Sequence, residues 1–130
     1  YDVAVDGSGR LVVADTLNGR VRRVQNDGTI NTIAGNGEGW DGGDGGPATA
    51  AGLITAHSVV AGPDDDLYIG DSAGRIRVGD ADSGTIRTFA GNGKHGYSGD
   101  AGPATEARSS KIINSLWLFL AVHERTLKRP

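Results

Sequence analysis

The chain has 130 residues, 22 of them glycine, no cysteine and a formal net charge of −3. Disulfides and thiolate zinc sites are excluded, and the length suits one domain with a modest core. The charge is uneven: residues 1–107 hold 8 basic and 15 acidic side chains (8 − 15 = −7), and residues 108–130 hold 5 and 1 (5 − 1 = +4), so the larger part is too acidic for a nucleic-acid surface.

Tyr1–Val5 reads as a short apolar strand, already under way at the first residue with neither Met nor a signal sequence before it. We therefore expect a fragment or a processed chain. Asp6-Gly7-Ser8-Gly9 is a turn, because Asp bonds its own following backbone and Gly permits positive φ. Leu11–Ala14 is apolar throughout, which predicts a second strand buried on both faces. After a turn at Asp15–Gly19, Arg20–Gln25 is a third strand, with Val21 and Val24 inward. Asn26-Asp27-Gly28 signals a hairpin, and Asp-Gly suits the primed turns. Thr29–Ala34 alternates Thr with Ile and gives a fourth strand with one apolar face. Four short strands make a meander too small to stand alone, so it needs another sheet against it.

A glycine-rich loop follows, with one helical turn expected at Pro47–Ala51 and Pro at its first position. The pattern then restarts. Asp27–Ala51 and Ser83–Ala107 share 15 of 25 residues at a constant offset of 56, which marks one supersecondary unit used twice. Ser58–Ala61, Leu67–Gly70, Arg75–Val78 and Thr85–Ala90 are the strands of the second unit. From Arg108 the repeat stops. Ile112–Val122 is apolar but too short to span a bilayer. It reads either as a distorted strand of a third unit or, better, as an amphipathic helix capped by Ser110, with Ile112, Leu116 and Leu120 at i+4 spacing.

The phrases VAVDGSGRLVVADTLNGRVRRV, GTINTIAGNGEG and GDGGPATAA resemble NHL repeats of the long bacterial type, over residues 1–107. The resemblance implies an all-β chain of two four-stranded antiparallel propeller blades, a partial propeller with a divergent C-terminal segment for which a helix is one reading. The expected divisions are blade 1 at 1–35, a glycine-rich inter-blade loop at 36–55, blade 2 at 56–90, a second loop at 91–108 and the divergent basic and apolar segment at 109–130. Residues 57–62 (HSVVAG) and Ala73-Gly74 depart from the family pattern. Two blades cannot close a ring, so their end faces invite pairing, including self-association.

Each candidate site has a plain reading beside it. Gly91–Gly96 matches G-x-G-x-x-G, but a dinucleotide site needs a helix to follow, and Tyr97-Ser98-Gly99 follows instead. Asp80-x-Asp82-x-Gly84 and Asp64–Asp66 suggest calcium, but the twelfth position counted from Asp80 is Gly91, so hairpin turns are expected. Asp41 and Asp44 could collect a cation with carbonyls; the favoured reading is that Asp44 and Asp100, with Pro47 and Pro103, organise the loops by accepting backbone N–H bonds. Of His57, His95 and His123, His57 lies where the family's innermost strand begins and is the channel-facing candidate. Arg20, Arg22, Arg23, Arg75 and Arg77 lie on third strands, and Arg20, Arg22 and Arg75 with His57 are the candidate ligand-facing residues.

No catalytic residue, cofactor or metal is assigned, with calcium or zinc kept as the alternative. The expected function is a non-catalytic binding scaffold for a protein, peptide or carbohydrate, without a membrane span. The resemblance implies an extracellular, periplasmic or cell-surface location. The runner-up is a fragment of a propeller enzyme, of lyase or lactone hydrolase type, with a channel metal.

Overall fold

The structure is a computed structural model that describes residues 2–94 and 96–108. Tyr1, His95, His123 and the expected helix at 112–122 lie outside the described residues. Among the described residues eight strands run in order: β1 (Asp2–Val5), β2 (Leu11–Asp15), β3 (Arg20–Val24), β4 (Ile30–Ala34), β5 (Ala56–Ala61), β6 (Leu67–Asp71), β7 (Ile76–Gly79) and β8 (Ile86–Ala90). They form two antiparallel four-stranded sheets, β1-β2-β3-β4 and β5-β6-β7-β8, each a simple meander. Among the described residues, helical structure is limited to short 3-10 turns, two of them at Ala48–Ala50 and Ala104–Glu106. None of the described helices is long and apolar enough to cross a membrane.

The sheets lie face to face, with β1 and β2 against β5. Alternation along each strand sends every second side chain into the space between. Val12, Ala14, Val21 and Ala34 of the first sheet meet Ala56, Val59, Leu67, Ile69 and Ile86 of the second, with Leu53 and Ala51 from the connecting loop closing the core. A smaller cluster, Tyr68, Ile76 and Val78 with Phe89, occupies the other face of the second sheet. Tyr68 and Phe89 pack edge to face at 5.4 Å.

The local chemistry explains the turns. Asp6 accepts N–H bonds from Ser8 (3.0 Å) and Arg10 (2.9 Å). Asp80 does the same for Asp82 and Ser83, both at 2.9 Å, so this Asp-x-Asp stretch is a turn. Gly35 (φ 87°) and Gly91 (φ 87°) recur because a Cβ there would overlap the carbonyl oxygens of Gly19 and Gly74.

Three expectations need correction. Leu11–Ala14 is buried on one face only: Val12 and Ala14 are inside, while Leu11, Val3 and Val5 are exposed. The second face of the first sheet lacks a neighbour among the described residues, whereas β6 is buried at all five positions. Val24 does not join Val21 in the core. It pairs with the exposed Ile30, on the face opposite Val21 and Arg23. The hairpin at Asn26-Asp27-Gly28 is not a primed turn. Only Gly28 has positive φ, and its N–H reaches the Gln25 carbonyl at 3.0 Å, the three-residue form with a left-handed glycine.

Candidate functional site

The glycine-rich loops do more than connect. In the first, Gly35 N–H donates to the Ala48 carbonyl (2.9 Å) and Asn36 N–H to Ala51 (3.0 Å), which folds the loop back on itself. The second repeats this with Gly91 to Ala104 and Asn92 to Ala107, both at 2.9 Å. Pro47 and Pro103 precede the 3-10 turns as caps, one place earlier than expected for Pro47. In Gly91–Gly96 the glycines thus serve this folded loop, with Asn92 Oδ1 accepting from Lys94 N–H at 2.9 Å.

The first loop also adds to the edge of the second sheet. Gly45 N–H donates to the Ile86 carbonyl (2.7 Å), Ile86 N–H to Gly46 (3.0 Å) and Ala48 N–H to Gly84 (2.8 Å). Beside this seam lies an Arg–carboxylate clamp. Arg77, buried on β7, donates from Nη2 (2.7 Å) and Nε (3.1 Å) to Asp44 Oδ1. It also donates to the carbonyls of Gly52 (3.0 Å) and Gly42 (2.9 Å). Thr88 supplies its N–H (3.1 Å) and hydroxyl (2.6 Å) to Asp44 Oδ2. Arg75 ion-pairs with Asp41. Asp44 therefore does accept a backbone N–H, but from Thr88 of the next sheet rather than from its own loop. Asp100 Oδ2 accepts from the Tyr97 hydroxyl at 2.6 Å.

Electrostatics follow this geometry. Burial works against ionisation of Asp44, but bonds from Thr88 and Arg77 outweigh it and hold the carboxyl below its usual range. Asp71, at the end of β6, goes the other way. Burial pushes it up to about 6, against N–H bonds from Arg75 and Ala73. Its Oδ1 takes those two N–H groups (3.2 and 3.0 Å), while its Oδ2 is buried without a hydrogen-bond partner among the described residues. The proton is thus held more tightly in the folded state than at the unfolded value of about 3.9. The stabilisation is complete below about pH 4, declines as pH rises, and is lost above about pH 6, a change of about 3 kcal/mol. Asp71→Asn should flatten the rise in urea midpoint that wild type shows on going from about pH 7 to about pH 5. An unchanged pH slope in the variant would remove Asp71 as its source.

The first sheet carries the counterpart of this clamp. Arg22 and Thr32 are partners across β3 and β4, just after a register shift at Val21/Arg22. Arg77 and Thr88 are partners just after the same shift at Ile76/Arg77. Arg20, Arg22 and Thr32, with Asp15 and Asn18, line an open cleft of about 230 Å³. Arg20 donates to the carbonyls of Asn36 (3.2 Å) and Asn18 (3.3 Å). Arg22 lies 3.9 Å from Asp15, and its Nε is buried without a hydrogen-bond partner among the described residues. A second cleft of about 230 Å³, lined by Asp2, Val3, Val13, Ala14 and Asp15, adjoins it through Asp15.

The structure thus brings Arg20 and Arg22 together and puts Arg75 at the equivalent, filled position. His57 is half-buried near the start of β5 and lines neither cleft. Arg23 pairs with Asp6 at 3.3 Å, alongside Arg10. Asp65 accepts from Gly7 N–H at 2.7 Å and Asp66 from Ala81 N–H at 2.8 Å, so these two carboxylates tie turns together. Among the described residues no three His, Asp or Glu side chains gather to hold a metal ion. Sequence reasoning missed Thr32 and Thr88 and the pairing of Arg22 with Arg77. The signal was present: the threonines are 56 apart and the arginines 55, because the turn after Asp71 is one residue shorter.

No family model and no curated protein matches the chain. A solved structure, a structural genomics protein of unknown function from Bacteroides thetaiotaomicron VPI-5482, is similar in fold, with a TM-score of 0.69 at 18% sequence identity. The match covers 82% of this chain and 26% of that one, so this chain spans about a quarter of its length.

Proposed function

We propose that the chain is a pair of NHL-type propeller blades serving as a non-catalytic binding scaffold in an exported protein, extracellular, periplasmic or at the cell surface. The partner is a protein or peptide that presents a carboxylate to the cleft of Arg20, Arg22 and Thr32. The carrying observation is the Nε of Arg22, buried and without a partner among the described residues. The same atom of Arg77 holds Asp44 at 3.1 Å. Two guanidinium groups and a hydroxyl favour a carboxylate over the neutral hydroxyls of a carbohydrate, since Arg presents donors in a fork that matches a carboxylate.

A cyclised peptide copying Asp41–Ala50 is a suitable probe, because cyclisation removes part of the ordering cost. The peptide should bind wild-type protein in fluorescence anisotropy, and binding should be lost with Arg22→Glu. Absence of binding, or equal binding to that variant, would overturn the reading.

A further inference from the structure

From the two matching halves of one clamp, we infer that the chain associates with a second copy of itself, head to tail. The inference rests on the carboxylate-binding reading of the Arg22 cleft. Asp100 of one copy enters the Arg22–Thr32 cleft of the next, as Asp44 enters the Arg77–Thr88 site within the chain.

The receptor half is Arg22, Thr32 and Arg20, whose counterparts Arg77, Thr88 and Arg75 already engage a glycine-rich loop. The inserting half is the second glycine-rich loop. Asp100 stands 56 residues after Asp44 in the repeat. Among the described residues its carboxylate makes a single hydrogen bond, to Tyr97. The loop has the shape of the one already docked. Gly99 (φ 97°) matches Gly43 (φ 88°), and Ala101 (φ 65°) matches Gly45 (φ 86°). Ala101 adopts the left-handed region, which strains a residue with a Cβ, so the shape persists even where glycine does not. Gly102 N–H donates to Gly99 at 3.0 Å, as Gly46 does to Gly43 at 3.1 Å.

The backbone seam has its counterpart as well. Ala101 N–H would meet the Ile30 carbonyl, Ile30 N–H the Gly102 carbonyl, and Ala104 N–H the Gly28 carbonyl. Ile30 and the neighbouring Val3, Val5 and Leu11 are exposed apolar groups that this contact would begin to cover. One element differs. Asp41 is replaced by Tyr97 in the second loop, so the Arg75–Asp41 ion pair has no copy. Tyr97 would lie against the Arg20 guanidinium instead. The contact is heterologous: one copy uses its loop and the next its β3–β4 face, so it propagates or closes into a ring.

Sedimentation equilibrium of the intact chain should show concentration-dependent association. Asp100→Asn and Arg22→Glu should each weaken it about tenfold or more. Far-ultraviolet circular dichroism would confirm that both variants are folded, with Thr32→Val replacing Arg22→Glu if that one is not. Mixed together, the two variants should form a one-to-one dimer and nothing larger, because only one competent loop and one competent cleft remain. A monomeric wild type, undiminished association in Asp100→Asn, or no complementation on mixing would overturn the inference. If the cyclised peptide still binds a monomeric wild type, the cleft takes a carboxylate from another protein and only self-association fails. If neither occurs, both readings fail.

Discussion

Replacing Arg77 with alanine should cost about 3–5 kcal/mol of folding stability, a large share of what a domain of this size has. The side chain is only 1% exposed, yet it carries a full charge. That charge is tolerated because Asp44, Asp41 and the carbonyls of Gly42 and Gly52 surround it. Removing it leaves buried carbonyl oxygens short of donors and frees the loop from the second sheet. Asp44→Ala is expected to be as damaging, because it leaves the arginine charge under-compensated. Asp44→Asn should cost less, about 1–3 kcal/mol, since the amide oxygen still accepts. Arg77→Lys should not rescue, because an ammonium cannot span Asp44 and the carbonyls at once. Urea unfolding at neutral pH measures all four. Arg22→Ala provides the internal comparison: it occupies the same place in the first sheet but is half-exposed, and should cost about 0.5 kcal/mol or less. Equal losses at Arg22 and Arg77 would mean that the clamp contributes nothing of its own.

The clamp also sets an acid limit. The Asp44 carboxyl is held below its usual range in the folded state. Its stabilisation is therefore present above about pH 4 and lost as the pH falls lower. Asp71 works in the opposite sense between about pH 4 and pH 6, so the two carboxylates together favour a mildly acidic optimum.

Ile69→Ala is the second large effect, expected at about 2–5 kcal/mol. Ile69 is 0% exposed and sits in the cluster between the sheets, with Val12, Val59 and Ile86. The alanine leaves a cavity that two facing sheets cannot collapse, because each is fixed by its own ladder. Ile69→Val should lose only about 0.5–1.5 kcal/mol. Val3→Ala tests the opposite face: Val3 is 58% exposed and should cost about 0.5 kcal/mol or less. If thermal or urea unfolding gave Val3→Ala and Ile69→Ala similar losses, the sheets would not be stacked on the face assigned here.

Much of this architecture can be read without coordinates. The eight strands fall within two residues of the places that alternation and turn residues predict, and the internal repeat announces two equivalent units. Asp6 and Asp80 organise turns through the N–H groups that follow them, as short-range chemistry requires. Val24 was misplaced because it stands three residues from Val21, an odd spacing that strand alternation sends to the opposite face. The run Leu11–Ala14 suggested burial on both faces, yet among the described residues it has a neighbour on one. An apolar side chain shows that a face can be covered, not what covers it.

Strand order and hairpin connection were thus determined by the sequence alone, because each depends on dihedral preferences and contacts within a few residues. The tertiary structure decided that Asp44 belongs to Arg77 and Thr88, 33 and 44 residues away, and that Arg22 keeps a buried Nε without a hydrogen-bond partner among the described residues. Those pairings arise only when two sheets stack and bring a loop of one against the edge of the other. Nothing in the local chain energetics of either segment encodes that distance.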